Sequence, residues 1–287
     1  MSTVTRFAPS PTGLMHLGHA FSAYCGWRRA RESGGIWRLR LEDIDQTRCT
    51  PQYAAAILED LQWLGLHWDG DVRVQSAHLP DYLSRLEQLY GMGLTYPCFC
   101  TRAEIARAQA APHVMEPIYV GTCRHLPLAA REAKLQAGLP FAVRLNCGAA
   151  MRVTGPMTFY EEGFGWLEAM PGQLGDVVLA RKDTPSSYHL CVVSDDALQE
   201  VTHVVRGEDL RQATHVQVLL QKLLGVPTPV YAHHPLLRDS SGKRLAKRDH
   251  AATLRGIRQS GVAASRIIER LQPRYAGTLL PGDFLPA

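Results

Sequence analysis

Three groups of residues in this sequence combine types and spacings suited to chemistry. Near the start, His16 and His19 stand three positions apart with Gly18 between them, shortly after Pro9-Ser-Pro-Thr-Gly13. Two imidazoles at a strand-to-helix junction can donate hydrogen bonds to charge growing on a polyphosphate, and a helix N-terminus attracts the same anion. Gly18 would let a ligand come close to the backbone. More than 200 residues later, Lys243-Arg-Leu-Ala-Lys-Arg248 follows the hairpin-like Arg238-Asp-Ser-Ser-Gly242. A lysine on such a Gly/Ser segment can swing onto a triphosphate and leave with the pyrophosphate. The third group is Cys98, Cys100 and Cys123, which are near enough in sequence to share a metal. Zinc takes four ligands, so one more is needed, and ligand chemistry alone would choose His125, two residues past Cys123.

The first two groups carry a resemblance. Arg6-Phe-Ala-Pro-Ser-Pro-Thr-Gly13 followed by His-Leu-Gly-His19 closely resembles the HIGH region of glutamyl-tRNA synthetases, and Arg244-Leu-Ala-Lys-Arg248 resembles the KMSKS loop of the same class I family. The resemblance covers about residues 3 to 250. It implies that His16, His19 and Lys247 are catalytic and, with Gly18, bind ATP, although Ala246 departs from the usual serine. It also carries glutamate binding onto Arg6, the backbone of Phe7, Ala8, Pro9 and Ser10, Glu42, Tyr188 and Arg206. Those residue types suit the ligand, because arginines hold carboxylates bidentately and a carboxylate holds an ammonium group. Tyr119-Val-Gly-Thr-Cys123 resembles the pattern of shortened family members in which a tyrosine completes a zinc site. Tyr119 is therefore the expected fourth ligand, with His125 as the alternative, and the zinc is expected to be structural.

Thirty-nine residues follow Arg248, where a full-length synthetase would begin a helical anticodon-reading region. The resemblance is thus to reduced members that activate L-glutamate with ATP, aided by Mg²⁺, and move it to queuosine in the anticodon of tRNA(Asp). The α-carboxylate of glutamate would attack the ATP α-phosphate, with no covalent protein nucleophile, and the anticodon arm of tRNA(Asp) would be the partner. Two alternatives stand beside this: charging the 3′ end of tRNA(Glu), and a tRNA-independent amino-acid ligase.

The elements that must position these residues read as α/β. Val4 to Ala8 reads as a buried strand entering a turn, His16 to Arg31 as a helix, and Ile36 to Leu41 as a second strand, which together make a βαβ unit. Pro51 to Leu64 and Leu79 to Leu94 read as helices. Beyond Tyr96 the texture turns to Cys, Pro, Gly and short β-like runs such as Phe141 to Leu145 and Gly175 to Ala180. The sheet is expected to resume with strands at Tyr188 to Val193 and Val201 to Arg206, followed by a helix from Thr214 to Leu224 closed by Gly225. The resulting expectation is a Rossmann-like, doubly wound parallel sheet of class I synthetase type. Its parts would be 1–95 for the first half of the core, 96–185 for an inserted zinc-bearing α+β subdomain, 186–250 for the second half, and 251–287 for a short helical, loosely ordered tail.

At 287 residues, 46% hydrophobic and 20% charged, the chain can bury a sizeable core. A net charge of +4 is compatible with nucleic-acid binding without requiring it. There is no secretory pattern at the N-terminus and no apolar run of about eighteen residues, so a cytoplasmic protein is expected, and a monomer. That setting favours metal over disulfides for the clustered cysteines, while Cys25, Cys49, Cys147 and Cys191 read as small hydrophobes.

Overall fold

The computed structural model describes residues 2–107, 118–237 and 253–271. The chain begins with β1 (Val4–Phe7), α1 (Leu17–Glu32), β2 (Ile36–Leu41), α2 (Pro51–Trp63), β3 (Arg73–Val74) and α3 (Leu79–Gly91). It continues through β4 (Thr95–Cys98), α4 (Arg102–Arg107), α5 (Leu128–Gln136), β5 (Ala142–Leu145), α6 (Cys147–Thr154), β6 (Thr158–Glu161), β7 (Gly165–Glu168) and β8 (Val178–Ala180). Last come α7 (Tyr188–Leu198), β9 (His203–Gly207), α8 (Arg211–Leu224), β10 (Val230–His234), α9 (Leu254–Gln259) and α10 (Ala264–Leu271).

Local chemistry sets the helix boundaries. The Thr50 side chain accepts from the Tyr53 amide at the start of α2, with Pro51 in the first turn, where its missing N–H costs nothing. At the other end of the fold Gly225 closes α8 in the left-handed region at φ 66°, which favours a residue without a Cβ. Thr253 caps α9 by accepting from the Gly256 amide.

β1, β2 and β3 pair in parallel, as do β6, β10 and β9, with β7 added antiparallel to β6. The two groups meet at Thr202, whose amide donates to Val4 O (2.9 Å) and whose Oγ1 accepts from the Val4 amide (2.8 Å). Strand alternation then sends side chains to opposite faces. On β1, Thr5 Oγ1 donates to Gly26 O of α1, while Arg6 reaches the other way to Asp196 of α7. One apolar cluster joins α1, α2, α9 and α10 to β1 and β2 through residues such as Phe21, Trp37, Leu39 and Ile267. A second joins α3, α6, α7 and α8 to β6, β9 and β10 through Tyr82, Phe159, Val204 and Tyr231. β4, β5 and β8 form a separate antiparallel sheet beside the cysteine cluster.

Three expectations need correction. Tyr188 to Val193 is not a strand but the first half of α7. Every residue from Leu190 to Asp196 is buried because α3, α8 and the sheet surround the helix, and a short all-apolar run has the same appearance in a buried strand and a buried helix. The segment 96–185 is not wholly apart from the core either, since β6 inside it pairs with β10 and the Glu162 amide donates to Tyr231 O. In the tail, Leu271 is the buried last residue of α10 rather than loose chain, and the residues after it lie outside those described.

Candidate functional site

A cavity of about 510 Å³ opens at the carboxyl ends of β1, β2, β9 and β10, where parallel α/β sheets place ligands. Arg6, the Phe7 to Ser10 backbone, His16, Gly18 and His19 line it from the first half of the chain together with Glu42. Tyr188 and Arg206 line it from the second half. Lys247 lies outside the described residues, but the chain on either side of it is fixed at this wall. Leu237 lines the cavity, and Thr253 bridges to His16 while the Leu254 amide donates to Met15 O (2.9 Å).

The two histidines cap α1. His16 Nδ1 accepts from the Gly18 amide (3.0 Å) and His19 Nδ1 accepts from the His16 amide (3.2 Å), with the ring centroids 3.9 Å apart. With Nδ1 accepting on both rings, Nε2 is the nitrogen that carries the proton and can donate. This alters the expectation for Gly18. A Cβ there would stand 2.8 Å from His16 Cε1, so the glycine makes room for the His16 ring, and its amide is spent on that ring.

Charge on the opposite wall is laid out unevenly. The Arg206 guanidinium, 4% exposed, donates to Gln217 Oε1 (2.9 Å), Thr214 Oγ1 (2.8 Å) and His233 Nε2 (3.2 Å). All three acceptors are neutral, since burial and the nearby Arg206 charge push His233 down to about 3. Among the described residues no carboxylate lies within 4 Å of Arg206. A buried guanidinium with no carboxylate in direct contact, Glu161 being set behind His233, can receive an anion from the cavity. Arg6 is different: its Nε and Nη2 sit on Asp196 (3.0 and 3.5 Å), which leaves the Nη1 edge without a hydrogen bond among the described residues. Glu42 accepts from Arg40 Nε and Nη2 (3.4 and 3.3 Å). Burial raises its carboxyl pKa above the usual 4.5, against the pull of Arg40 and Arg6. Burial likewise raises the Tyr188 phenol.

Sequence reasoning missed Asp209, His234, Arg40 and Asp196. Asp209 and His234 line the cavity, and a Cβ at Gly207 would stand 2.5 Å from Asp209 Oδ1, so a side chain there would push that carboxylate aside. The pattern Arg206-Gly-Glu-Asp209 was available as a signal. His234 and Asp196 carried none, because the first ends an undistinguished strand and the second sits in the helix misread as sheet.

A second arrangement concerns the cysteines. The Sγ atoms of Cys98, Cys100 and Cys123 lie within 4.8 Å of one another, and Cys100 and Cys123 are 3.4 Å apart. A tetrahedral zinc with ~2.3 Å Zn–S bonds needs sulfur separations of about 3.8 Å, so the donor set fits the ion. Tyr119 Oη lies 3.6 Å from Cys100 Sγ and accepts from the Cys123 amide (2.7 Å). His125 instead turns to Arg124 on the surface, its Nε2 3.2 Å from Nη2. The Phe99 amide donates to Cys123 Sγ (3.4 Å), which favours a thiolate there, and burial raises Cys100 to about 11.

The chain also resembles known proteins. Residues 2–275 match the model of the family described as tRNA synthetases class I (E and Q), catalytic domain. A glutamyl-Q tRNA(Asp) synthetase of Rhodobacter capsulatus is 49% identical over 277 residues, which is 92% of this chain and 98% of that protein. Another, from Symbiobacterium thermophilum, is 40% identical over 93% of this chain and 84% of its own length. Among solved structures, the glutamate-tRNA synthetase from Elizabethkingia anophelis is 26% identical with a TM-score of 0.81, and covers 95% of this chain. The chain spans 61% of that longer synthetase. The mixed α/β sheets are therefore those of a class I aminoacyl-tRNA synthetase catalytic fold, and the chain belongs to the class I tRNA synthetases of the glutamate and glutamine group, in the family of the glutamyl-Q tRNA(Asp) synthetases.

Proposed function

We propose that this ligase activates L-glutamate with ATP and transfers the glutamyl group to queuosine in the anticodon of tRNA(Asp). The observation that carries the amino-acid choice is Arg206, a buried guanidinium whose bonds run only to neutral acceptors at the cavity wall. A side-chain carboxylate supplies the direct ionic partner it lacks, whereas the amide of glutamine does not. Arg6 offers its Nη1 edge, Glu42 receives the ammonium group, and the Phe7 to Ser10 backbone with Tyr188 closes round the ligand. ATP, entering with Mg²⁺, lies against His16, Gly18 and His19, and Lys247 joins them on its phosphates.

The first step needs orientation and charge stabilisation rather than a protein nucleophile. His16 and His19 present Nε2–H donors to the phosphates, and Arg6, with Arg206 holding the side-chain carboxylate, aligns the α-carboxylate for in-line attack at the α-phosphate. Cys98, Cys100, Cys123 and Tyr119 hold one zinc, which fastens the insertion 96–185. The partner is the anticodon arm of tRNA(Asp), and the protein acts as a cytoplasmic monomer. Mapping label from radioactive glutamate on queuosine-containing tRNA(Asp), before and after mild base, tests the acceptor. Base-labile label in the anticodon loop is expected. Label on the terminal adenosine of tRNA(Glu) would instead make the chain a 3′-end charging enzyme.

A further inference from the structure

We infer that Asp196 is a positioning residue for amino-acid recognition: one buried carboxylate sets both the carboxylate-binding edge of Arg6 and, through Arg40, the ammonium-binding Glu42. Asp196 Oδ1 accepts from Arg6 Nε (3.0 Å) and from Arg40 Nη1 (2.8 Å), and Oδ2 accepts from Arg6 Nη2 (3.5 Å). Arg40, fully buried, then donates its Nε and Nη2 to Glu42 Oε1 and shares Nη1 with Gln199 Oε1 (2.9 Å). Asp196 does three things at this site. It is the only hydrogen-bond acceptor of Arg6 among the described residues, and by taking Nε and Nη2 it decides which edge of that guanidinium faces the cavity. Next, it places its charge between two buried cations that would otherwise repel one another. Finally, it lies on α7, the helix that also begins with Tyr188, so it couples the amino-acid site across the two halves of the core.

Its neighbour shows that the arrangement is specific. Asp195, equally buried, takes its hydrogen bonds from Arg73 Nε (2.6 Å), Gln75 Nε2 (2.8 Å) and Tyr82 Oη (3.0 Å), which anchors β3 and α3; it also stands 3.6 Å from Arg40 Nε, but among the described residues it makes no contact with Arg6. Two adjacent aspartates on one helix thus share Arg40, while Asp196 is the one that also holds Arg6.

The inference rests on the glutamate-site reading above, so the experiment separates the two. ATP–pyrophosphate exchange is measured with Asp196→Asn, which keeps the shape and removes the charge, alongside Glu42→Gln and Arg206→Gln. A displaced guanidinium raises KM for glutamate by about tenfold or more while KM for ATP stays within about twofold, because the histidine wall does not touch Asp196. The milder Gln199→Met, at the half-exposed end of α7, moves the same constant in the same direction by about two- to threefold and keeps the test alive if Asp196→Asn does not fold. Equal rises in both KM values, or no rise in KM for glutamate from either variant, overturns the positioning role. If Glu42→Gln and Arg206→Gln leave KM for glutamate unchanged, it is the glutamate-site reading that fails.

Discussion

Arg206, Glu42 and Gly18 each make a distinct demand on the chemistry of the cavity. At Gly18, a methyl group would stand 2.8 Å from His16 Cε1, and the ring cannot yield without losing its bond to the residue-18 amide. Gly18→Ala is therefore expected to lower kcat for ATP–pyrophosphate exchange ~100-fold or more, with a smaller change in KM for glutamate, because a displaced histidine costs alignment at the phosphates. Glu42 brings a pH dependence. Burial raises its pKa, Arg40 and Arg6 oppose the rise, and Asp195 and Asp196 add to it. Only the ionised carboxylate holds an ammonium group, so as pH falls through this raised pKa, binding weakens. KM for glutamate should climb on the acid side at a pH above 4.5, and Glu42→Gln should abolish that climb while raising KM throughout. An acid limb that survives in the variant would assign the titration elsewhere. The sequence pointed to these residues where a motif carried the resemblance: the His16 and His19 pair, Arg6, Glu42 and Arg206 all line the one cavity. Asp196 and Arg40 were not legible, since their role depends on contacts between strands and a helix more than 150 residues apart in the chain.

Among the elements, the α2–α9 junction holds a charge in an awkward place. Asp60 is fully buried, neither oxygen has a hydrogen bond among the described residues, and its nearest cation is Arg258 Nη2 at 3.9 Å. Burial raises it to about 6, outweighing the pull of Arg258 and Arg255. The folded state thus binds this proton more tightly than the unfolded chain does. The proton's contribution to stability is full below the unfolded value of 3.8 and is lost as pH rises through about 6. Asp60→Asn should remove this dependence and stabilise the protein at pH 8 by about 2 kcal/mol, read from urea midpoints against pH. The cysteine knuckle gives a second prediction at this scale. Purified protein should carry one zinc, and Tyr119→Phe should weaken its retention by at least the ~10-fold that even an outer partner is worth, while His125→Ala leaves it unchanged. The reverse order in a chelator competition would make His125 the ligand. α7 shows why elements were harder to read than residues: periodicity needs one exposed polar face, and this helix, enclosed by α3, α8 and the sheet, is buried at every residue from Leu190 to Asp196.

At the scale of the whole molecule, the parallel strands β1 to β3 and the later strands β9 and β10 are joined at a seam that the sequence did not reveal. The seam is Thr202. It binds Val4 on one side through both its amide and its Oγ1, and on the other its carbonyl accepts from the Val230 amide (2.9 Å). One residue before β9 therefore holds β1 and the start of β10 in a single continuous surface. Across the same seam Arg6 and Arg40 of the first half reach Asp196 of the second, and Arg73 reaches Asp195. Hydrogen bonds and charges that cross between halves make neither half stable alone, since each would be left with buried unpaired groups. Thr202→Val keeps the shape and removes the acceptor of the buried Val4 amide, at a cost of about 1–3 kcal/mol. Urea unfolding followed both by tryptophan fluorescence, to which the buried Trp37 of β2 contributes, and by far-UV circular dichroism should then shift to a lower midpoint with the two curves still coincident. If the curves separate, with the fluorescence transition moving alone, the halves unfold independently and the seam does not unite them.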